Sequence, residues 1–533
     1  MPYPCNKCGA VGMIRSICYG NKLSFRGLCF GLTGFRAISG CAMNRRVVFP
    51  NRIWIRESGR AAIPTARHRV ASATASAIMC AALLTACARV DAPPVSAPSA
   101  LPVLQQRHLD DPGLDRFLSA NLRANTSPAA SGSWSLDALV LAGLYFSPDL
   151  DVARAQLAQA RGARITAGQR PNPTLGVSAG YDTTTAGLSP WILGAALDLL
   201  LEGGGKRRGR SAQSEHLSEA ARFKLAGSAW LVHSKVRQAF LALYTGRKDQ
   251  EALTALLARQ EESVQLLDAT FQAGGASSYE VTQVRMALDQ TRQSLAQSRT
   301  AQADALAQLA RTIGVPPTAL DTLSFDFSTF DALPPAVPIT SVQGKALVNR
   351  PDILAALADY DAARAGLRIA LAGRNPDIRL SPGYQFDQGD SKWSLGLGIV
   401  LPIFNRNEGP IAEAAARCDE AAARVDALQT AAIAELDAAT RAYGIALDRV
   451  AQATALLQDL NRQMVIARAR FAEGESSKLE LAQRQQELSS AIVSKNVAVA
   501  AAQYALGRLE DAMQMPFADT SLIERSPRQG QHP

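Results

Sequence analysis

Residues able to do covalent chemistry are few and scattered in this chain. Five histidines occur among 533 residues. His108, His216, His233 and His532 stand far apart, and none lies in an H-E-x-x-H array that would place two imidazoles on one helix face around a metal. Gly203-Gly204-Gly205-Lys206-Arg207 superficially suggests a phosphate loop. No Ser or Thr follows the lysine and the upstream glycine is missing, so the magnesium ligand and the backbone cradle are both absent. Cys5 and Cys8 have the spacing of half a zinc site, but no second pair and no nearby histidine completes it. Met286, Met464, Met513 and Met515 are too few for a copper relay, and Cys418 reads as a small buried helix residue. No enzyme, metal site or cofactor is expected.

Two other patterns have a physical purpose. Ser277 and Ser477 each precede a glutamate by three residues, Glu280 and Glu480, the S-x-x-E spacing of a helix capping box. Gly274 and Gly474 stand just before them, where a chain reversing between two helices needs backbone freedom. The glutamates either cap the helices only or also present carboxylates at the turns. The second pattern is Leu84-Thr85-Ala86-Cys87. It follows the basic Arg67-His68-Arg69 and the small, apolar run Val70 to Leu84, and resembles the lipobox of bacterial lipoproteins. The resemblance implies cleavage before Cys87 and lipid on that cysteine; an ordinary signal peptide is the alternative. Residues 1–66 are then expected to be an N-terminal extension and 67–86 the signal. A Pro/Ser-rich linker and the start of the body would occupy 87–134.

Composition agrees with this division. The formal net charge is +9, yet residues 1–86 hold 12 Lys and Arg against the single acid Glu57. The rest holds 44 bases and 46 acids, so no basic stripe for nucleic acid exists in the body. Hydrophobic residues make up 47% but aromatics only 6%, and Ala and Leu dominate, which favours long helices. No run of 18 apolar residues suggests a spanning helix.

The body is duplicated. Ser147-Pro148-Asp149-Leu150 recurs as Arg350-Pro351-Asp352-Ile353, Asn172-Pro173 as Asn375-Pro376, and Tyr181 as Tyr384. Phe271-Gln272-Ala273-Gly274 recurs as Phe471-Ala472-Glu473-Gly474. Two copies with landmarks in one order, 135–316 and 341–516, are expected, joined by a connector at 317–340 and followed by a tail at 517–533. Each copy begins with a helical stretch, about 135–170 and 341–374, ended by Asn-Pro. Two alternating segments follow, then a helix over about 206–270 or 408–470, a Gly/Ser turn, and a return helix over about 278–313 or 478–513.

In copy two Ile378, Leu380, Pro382, Tyr384 and Phe386 share one parity, as do Trp393, Leu395, Leu397 and Ile399. Ser394, Gly396 and Gly398 take the other. Four strands apolar on one face fit part of a transmembrane barrel, with Tyr384, Phe386, Trp393, Leu395, Leu397 and Ile399 toward lipid. Four strands leave bare edges that lipid cannot solvate, so several chains must contribute, and three would give twelve strands. Helices of about 65 residues reach roughly 98 Å, too long for a globular core. The basic run Lys206, Arg207, Arg208 and Arg210 falls where strand becomes helix, either against lipid head groups or simply in water.

These landmarks resemble the outer-membrane efflux factors of the TolC type over about 135–516. The paired turns and Leu401-Pro402-Ile403-Phe404-Asn405-Arg406 after the last strand carry the likeness. Arg170-Pro171-Asn172-Pro173 and Asn349-Arg350-Pro351-Asp352 look most like the CzcC-like, heavy-metal branch. The resemblance implies a mainly α fold with a transmembrane β-barrel. It implies a homotrimer with a 12-stranded barrel in outer-membrane lipid and a 12-helix tunnel in the periplasm. It further implies a periplasmic adaptor and a proton-driven inner-membrane pump as partners. The hairpin turns, with Gly274, Ser277, Gly474 and Ser477, become the periplasmic tip that meets the adaptor, and Glu280 and Glu480 its aperture carboxylates. Copy one departs at Leu199-Leu200-Leu201-Glu202, where copy two has Leu401-Pro402-Ile403-Phe404. A lipid-anchored coiled-coil scaffold and a conduit for protein secretion are the alternatives.

Overall fold

The computed structural model describes residues 105–122, 132–183, 189–335, 344 and 347–516. Cys87, the signal and the tail lie outside them. The body opens with α1 (Pro112–Asn121), started by Asp111, whose side chain accepts from the Gly113 and Leu114 N–H groups. Then come α2 (Leu136–Phe146) and α3 (Pro148–Gly168). The expected helical stretch over about 135–170 is therefore two helices, parted at Ser147. A residue before proline is pushed out of the α region, and Ser147 has ψ 121°. Pro148 serves as the first residue of α3, where its missing N–H costs nothing. Copy two repeats this at Arg350-Pro351, which begins α6 (Pro351–Ala372).

The strands β1 (Thr174–Tyr181), β2 (Trp191–Leu201), β3 (Ile378–Asp387) and β4 (Asp390–Ile399) form one antiparallel sheet in the order β1-β2-β3-β4. The two copies are joined edge to edge where β2 meets β3. β1 and β4 remain open edges. The register places Leu175 opposite Leu197, Ala195 opposite Tyr384, Leu199 opposite Leu380, and Leu380 opposite Leu397. Residues opposite one another point the same way, so the apolar sets of all four strands form one continuous face.

The helices run as expected: α4 (Lys206–Gln272), α5 (Ser278–Ile313), α7 (Glu408–Ala472) and α8 (Lys478–Met513). At 1.5 Å per residue α4 and α7 each reach about 100 Å. The shorter helices stack end to end. A side chain at Gly314, after α5, would strike the Phe146 carbonyl at 2.7 Å and Pro148 at 3.2 Å, so α5 abuts α3. Arg350, before α6, donates to the Ala512 carbonyl near the end of α8 at 3.0 Å. Each copy thus supplies two rods.

The core sits mid-length. Val236, Phe240, Leu241, Leu309 and Ile313 are fully buried with Leu139 and Leu114. The connector is a packed belt there, with 3-10 turns at Pro317–Ala319 and Ser328–Phe330. Phe240 stacks on Phe327 at 4.7 Å and meets Phe330 at 5.6 Å. A second, alanine-rich core joins α7 and α8 around Tyr443 and Met513. Cys418, expected to be buried, is half-exposed on α7.

Candidate functional site

The sheet is the first functional element. Ten residues at about 3.4 Å, tilted by about 40°, span roughly 26 Å, which matches the height of a membrane barrel's apolar band. Tyr384 pairs with Trp393 and Leu395 with Pro382, while Phe386 pairs with Leu193 on β2. The expected set Tyr384, Phe386, Trp393, Leu395, Leu397 and Ile399 therefore lies on the apolar face. Ser394, Gly383, Ala196 and Gly176 form a row of small residues on the other. Trp191, which alternation alone did not single out, pairs with Tyr181 at a ring distance of 5.1 Å. With Tyr384 and Trp393, 4.9 Å apart, these rings cluster toward the hairpin end of the sheet. Leu201, Ile378 and Ile399 occupy the helix end. No helix among the described residues is long and apolar enough to cross a membrane.

The strand-to-helix junctions differ, as the sequence of copy one foretold. Four residues separate β2 from α4, whereas eight separate β4 from α7. The short junction folds around a carboxylate of its own chain: Asp377 accepts from the Gly203 N–H at 2.9 Å and the Lys206 ammonium at 2.8 Å. The phosphate-loop look-alike is thus an anion nest filled by Asp377. Burial works against the charge of Asp377, but Lys206 and the Gly203 N–H hold its pKa below the usual range. Glu202 receives two bonds from Arg210 at 2.6 and 2.8 Å, which lower its pKa. Gly203 is required because an added Cβ would lie 2.6 Å from the Pro376 carbonyl.

The hairpin tips are the third element. Gly274 and Gly474 adopt left-handed φ of 78° and 79°. Gly275 donates to Thr270 and Gly274 to Phe271; Glu475 donates to Arg470 and Gly474 to Phe471. Both reversals are Schellman turns, which need glycine at that left-handed position. Ser277 and Ser477 cap the return helices by accepting from the Glu280 and Glu480 N–H groups. Here the copies part. Glu280 closes its box, taking the Ser277 N–H at 2.7 Å, and that bond lowers its pKa. The Glu480 carboxylate makes no hydrogen bond or salt bridge among the described residues. Lys478 beside it reaches Glu262 of the first hairpin at 3.6 Å.

Sequence reading missed the clamp between the copies. Arg237, 7% exposed on α4, binds Glu510 of α8 at 2.8 Å and donates to the Gln503 carbonyl. Arg350, equally buried, binds Asp352 at 2.6 Å and Glu435 at 3.1 Å. Nearby His233 stacks on Trp230 at 4.6 Å, and burial drives its pKa down to about 4. Within Val236-Arg237-Gln238-Ala239-Phe240 nothing local sets this arginine apart from a helix-surface one.

Residues 144–315 and 342–513 match the model of the outer membrane efflux protein family. The chain belongs to the outer membrane efflux protein family. It is an outer-membrane protein of the TolC type. Curated relatives include the pyoverdine export outer membrane protein OpmQ of Pseudomonas aeruginosa, 28% identical over 52% of this chain and 62% of OpmQ. The cobalt-zinc-cadmium resistance protein CzcC of Cupriavidus metallidurans is 26% identical over 55% of this chain and 68% of CzcC. The match to OpmQ thus spans less than two thirds of that relative. Among solved structures, the outer-membrane channel OprN aligns with a TM-score of 0.59 at 24% identity, covering 71% of this chain and 89% of OprN. VceC of Vibrio cholerae aligns equally well, at 22% identity over 72% of this chain and 96% of VceC. These likenesses establish the fold: an α-barrel continuous with a β-barrel.

Proposed function

We propose that three copies of this chain form the outer-membrane conduit of a tripartite efflux system. The observation that carries this reading is a four-stranded sheet, apolar on one face and open at both edges, joined to helical hairpins about 100 Å long. Backbone groups at β1 and β4 cannot face lipid unpaired. Pairing β4 of one copy with β1 of the next closes twelve strands after three copies. The same operation brings twelve helical rods into a tunnel, since each chain supplies four. The apolar face turns to lipid and the row of Ser394, Gly383, Ala196 and Gly176 to the lumen.

The conduit is passive and catalyses nothing. Its tips, built on Gly274, Ser277, Gly474 and Ser477, dock on a periplasmic adaptor and through it on a proton-driven inner-membrane pump. The free Glu480 carboxylates form the aperture's charged ring. Glu280, held in its capping box, contributes charge but little freedom. The cargo consists of heavy-metal cations or small toxic compounds; CzcC supports the first and OpmQ a small organic cargo. Cys87 carries a lipid anchor in this reading.

Conductance in planar bilayers, measured on a heat-modifiable, cross-linkable trimer, tests the proposal. Discrete channels are expected. A folded trimer that never conducts would leave a lipid-anchored coiled-coil scaffold as the function.

A further inference from the structure

The end of the sheet where strands become helices carries positive charge that the chain leaves unneutralised. Seven basic side chains stand in the four crossings and the first turns of α4 and α7, against three acids, Glu202, Asp377 and Glu408. Lys206 and Arg210 are taken by Asp377 and Glu202. The other five, Arg170, Arg207, Arg208, Arg374 and Arg406, are exposed and have no salt bridge among the described residues. Arg207 and Arg208 lie in the first turn of α4, which holds no acid. Cations there oppose the helix dipole, so an external anion would relieve them. The opposite end of the sheet has the other sign, with Asp182, Asp387 and Asp390 around Lys392.

Apolar side chains accompany the charge. Val400, Leu401 and Ile403 are exposed and Phe404 is wholly so, two residues from Arg406. The aromatic rings of the sheet cluster at its far end, so Phe404 is the aromatic side chain placed to sit at the near boundary. An arginine ring beside an apolar step has the chemistry of a membrane interface: guanidinium forks for phosphate oxygens, hydrocarbon for acyl chains.

We propose that these five arginines form a collar for anionic phospholipid headgroups in the leaflet facing the periplasm, with Phe404 inserted at its level. The collar rests on the reading of the sheet as a membrane barrel. Arg170 precedes β1 and Arg406 follows β4, so in a closed trimer they meet at the seams, while Arg207, Arg208 and Arg374 fill the arc between. The collar would hold the barrel at one depth and favour leaflets rich in phosphatidylglycerol.

The test uses the purified full-length trimer, reconstituted into phosphatidylcholine vesicles with and without phosphatidylglycerol, with retained lipid read by native mass spectrometry. The wild type is expected to retain phosphatidylglycerol preferentially, by roughly fivefold for each engaged arginine. The triple variant Arg207→Gln, Arg208→Gln, Arg406→Gln should lose most of that preference while conducting normally, and Lys392→Gln at the far end should keep it. High salt should weaken the preference, because the contact is between exposed charges. A wild type that inserts in both vesicles and retains both lipids equally overturns the collar. Equal preference in the wild type and the triple variant does the same. Failure to insert into either vesicle would instead overturn the barrel reading beneath it.

Discussion

Arginine placed at Leu395 should destabilise the membrane-inserted protein, and arginine one residue earlier should not. β4 runs from Asp390 to Ile399, so Ser394 and Leu395 flank its middle. Leu395 belongs to the apolar face, opposite Pro382. A guanidinium on the lipid side of a barrel midplane costs about 2–4 kcal/mol. Leu397 lies on the same face but about 5 Å nearer the helix end, at about 3.4 Å per residue and a tilt of about 40°. Its arginine can extend toward the phosphates, and the cost should fall to about 1–2 kcal/mol. Ser394 is opposite Gly383, with Ala196 and Gly176 beyond, so an arginine there finds space and lumen water. Its cost should stay below about 1 kcal/mol. Guanidinium titration of the protein folded in phospholipid vesicles, followed by the fluorescence of Trp191 and Trp393, gives the three values. Equal costs at Ser394 and Leu395 would refute the face assignment. A larger cost at Leu397 than at Leu395 would refute the depth.

Four further outcomes are expected. Arg237→Ala breaks the buried ion pair with Glu510 and should cost about 3–5 kcal/mol in thermal unfolding, while Arg237→Met with Glu510→Leu recovers most of it; a shift near zero for the single variant would deny the clamp. His233 is held near pKa 4 when folded and titrates near 6.5 when unfolded. Between those values the unfolded state binds more protons, so stability falls as pH drops from about 6.5 to 4, by about 3 kcal/mol per chain; His233→Phe should flatten that slope in pH-dependent melts. Glu480→Gln should reduce cation selectivity in bilayers with little loss of trimer, whereas Glu280→Gln should loosen its hairpin tip in hydrogen exchange; a Glu480→Gln trimer that falls apart with its selectivity intact would make this glutamate a structural residue only. Cys87→Ser should abolish acyl labelling and leave the body folded, and labelling that persists would move the anchor elsewhere.

The elements readable in the sequence are those set by local rules. Glycine must occupy the left-handed position of a Schellman turn, so Gly274 and Gly474 announced both hairpins. Strict alternation over Ile378–Asp387 and Asp390–Ile399 announced β3 and β4, because a sheet with one wet and one apolar face leaves no other pattern. The break at Ser147 was equally local, since Pro148 restricts the residue before it. The unread features depend on distant partners. Arg237 looks like any helix-surface arginine until α8 brings Glu510 to it across some 270 residues. Leu323, Phe325 and Phe327 alternate over too short a stretch to mark a strand, and packing on Phe240 gives Phe325, Phe327 and Phe330 their place.

Duplication within the chain gives the assembled ring six near-equivalent units, and what makes the ring threefold is the difference between the copies. That difference is concentrated at the two ends of the rods. At the membrane end copy one closes its junction with Lys206–Asp377 and Glu202–Arg210, while copy two leaves Phe404 and Arg406 uncovered. At the tip copy one ties Glu280 to Ser277, while copy two leaves the Glu480 carboxylate free. At the tip the first copy holds its glutamate internally and the second leaves it to solvent, whereas at the membrane end both copies expose unpaired arginines and only the second exposes an aromatic ring. An exposed carboxylate is hydrated at no cost, but an aromatic ring fully in water is unfavourable, so of the two it is Phe404 that gains from a cover. Exchanging Ser476 to Glu480 with the matching residues of copy one keeps Ser477 and Glu480 but replaces Lys478 by serine, so it should remove the Lys478–Glu262 contact between the hairpins while leaving the cap of the return helix intact.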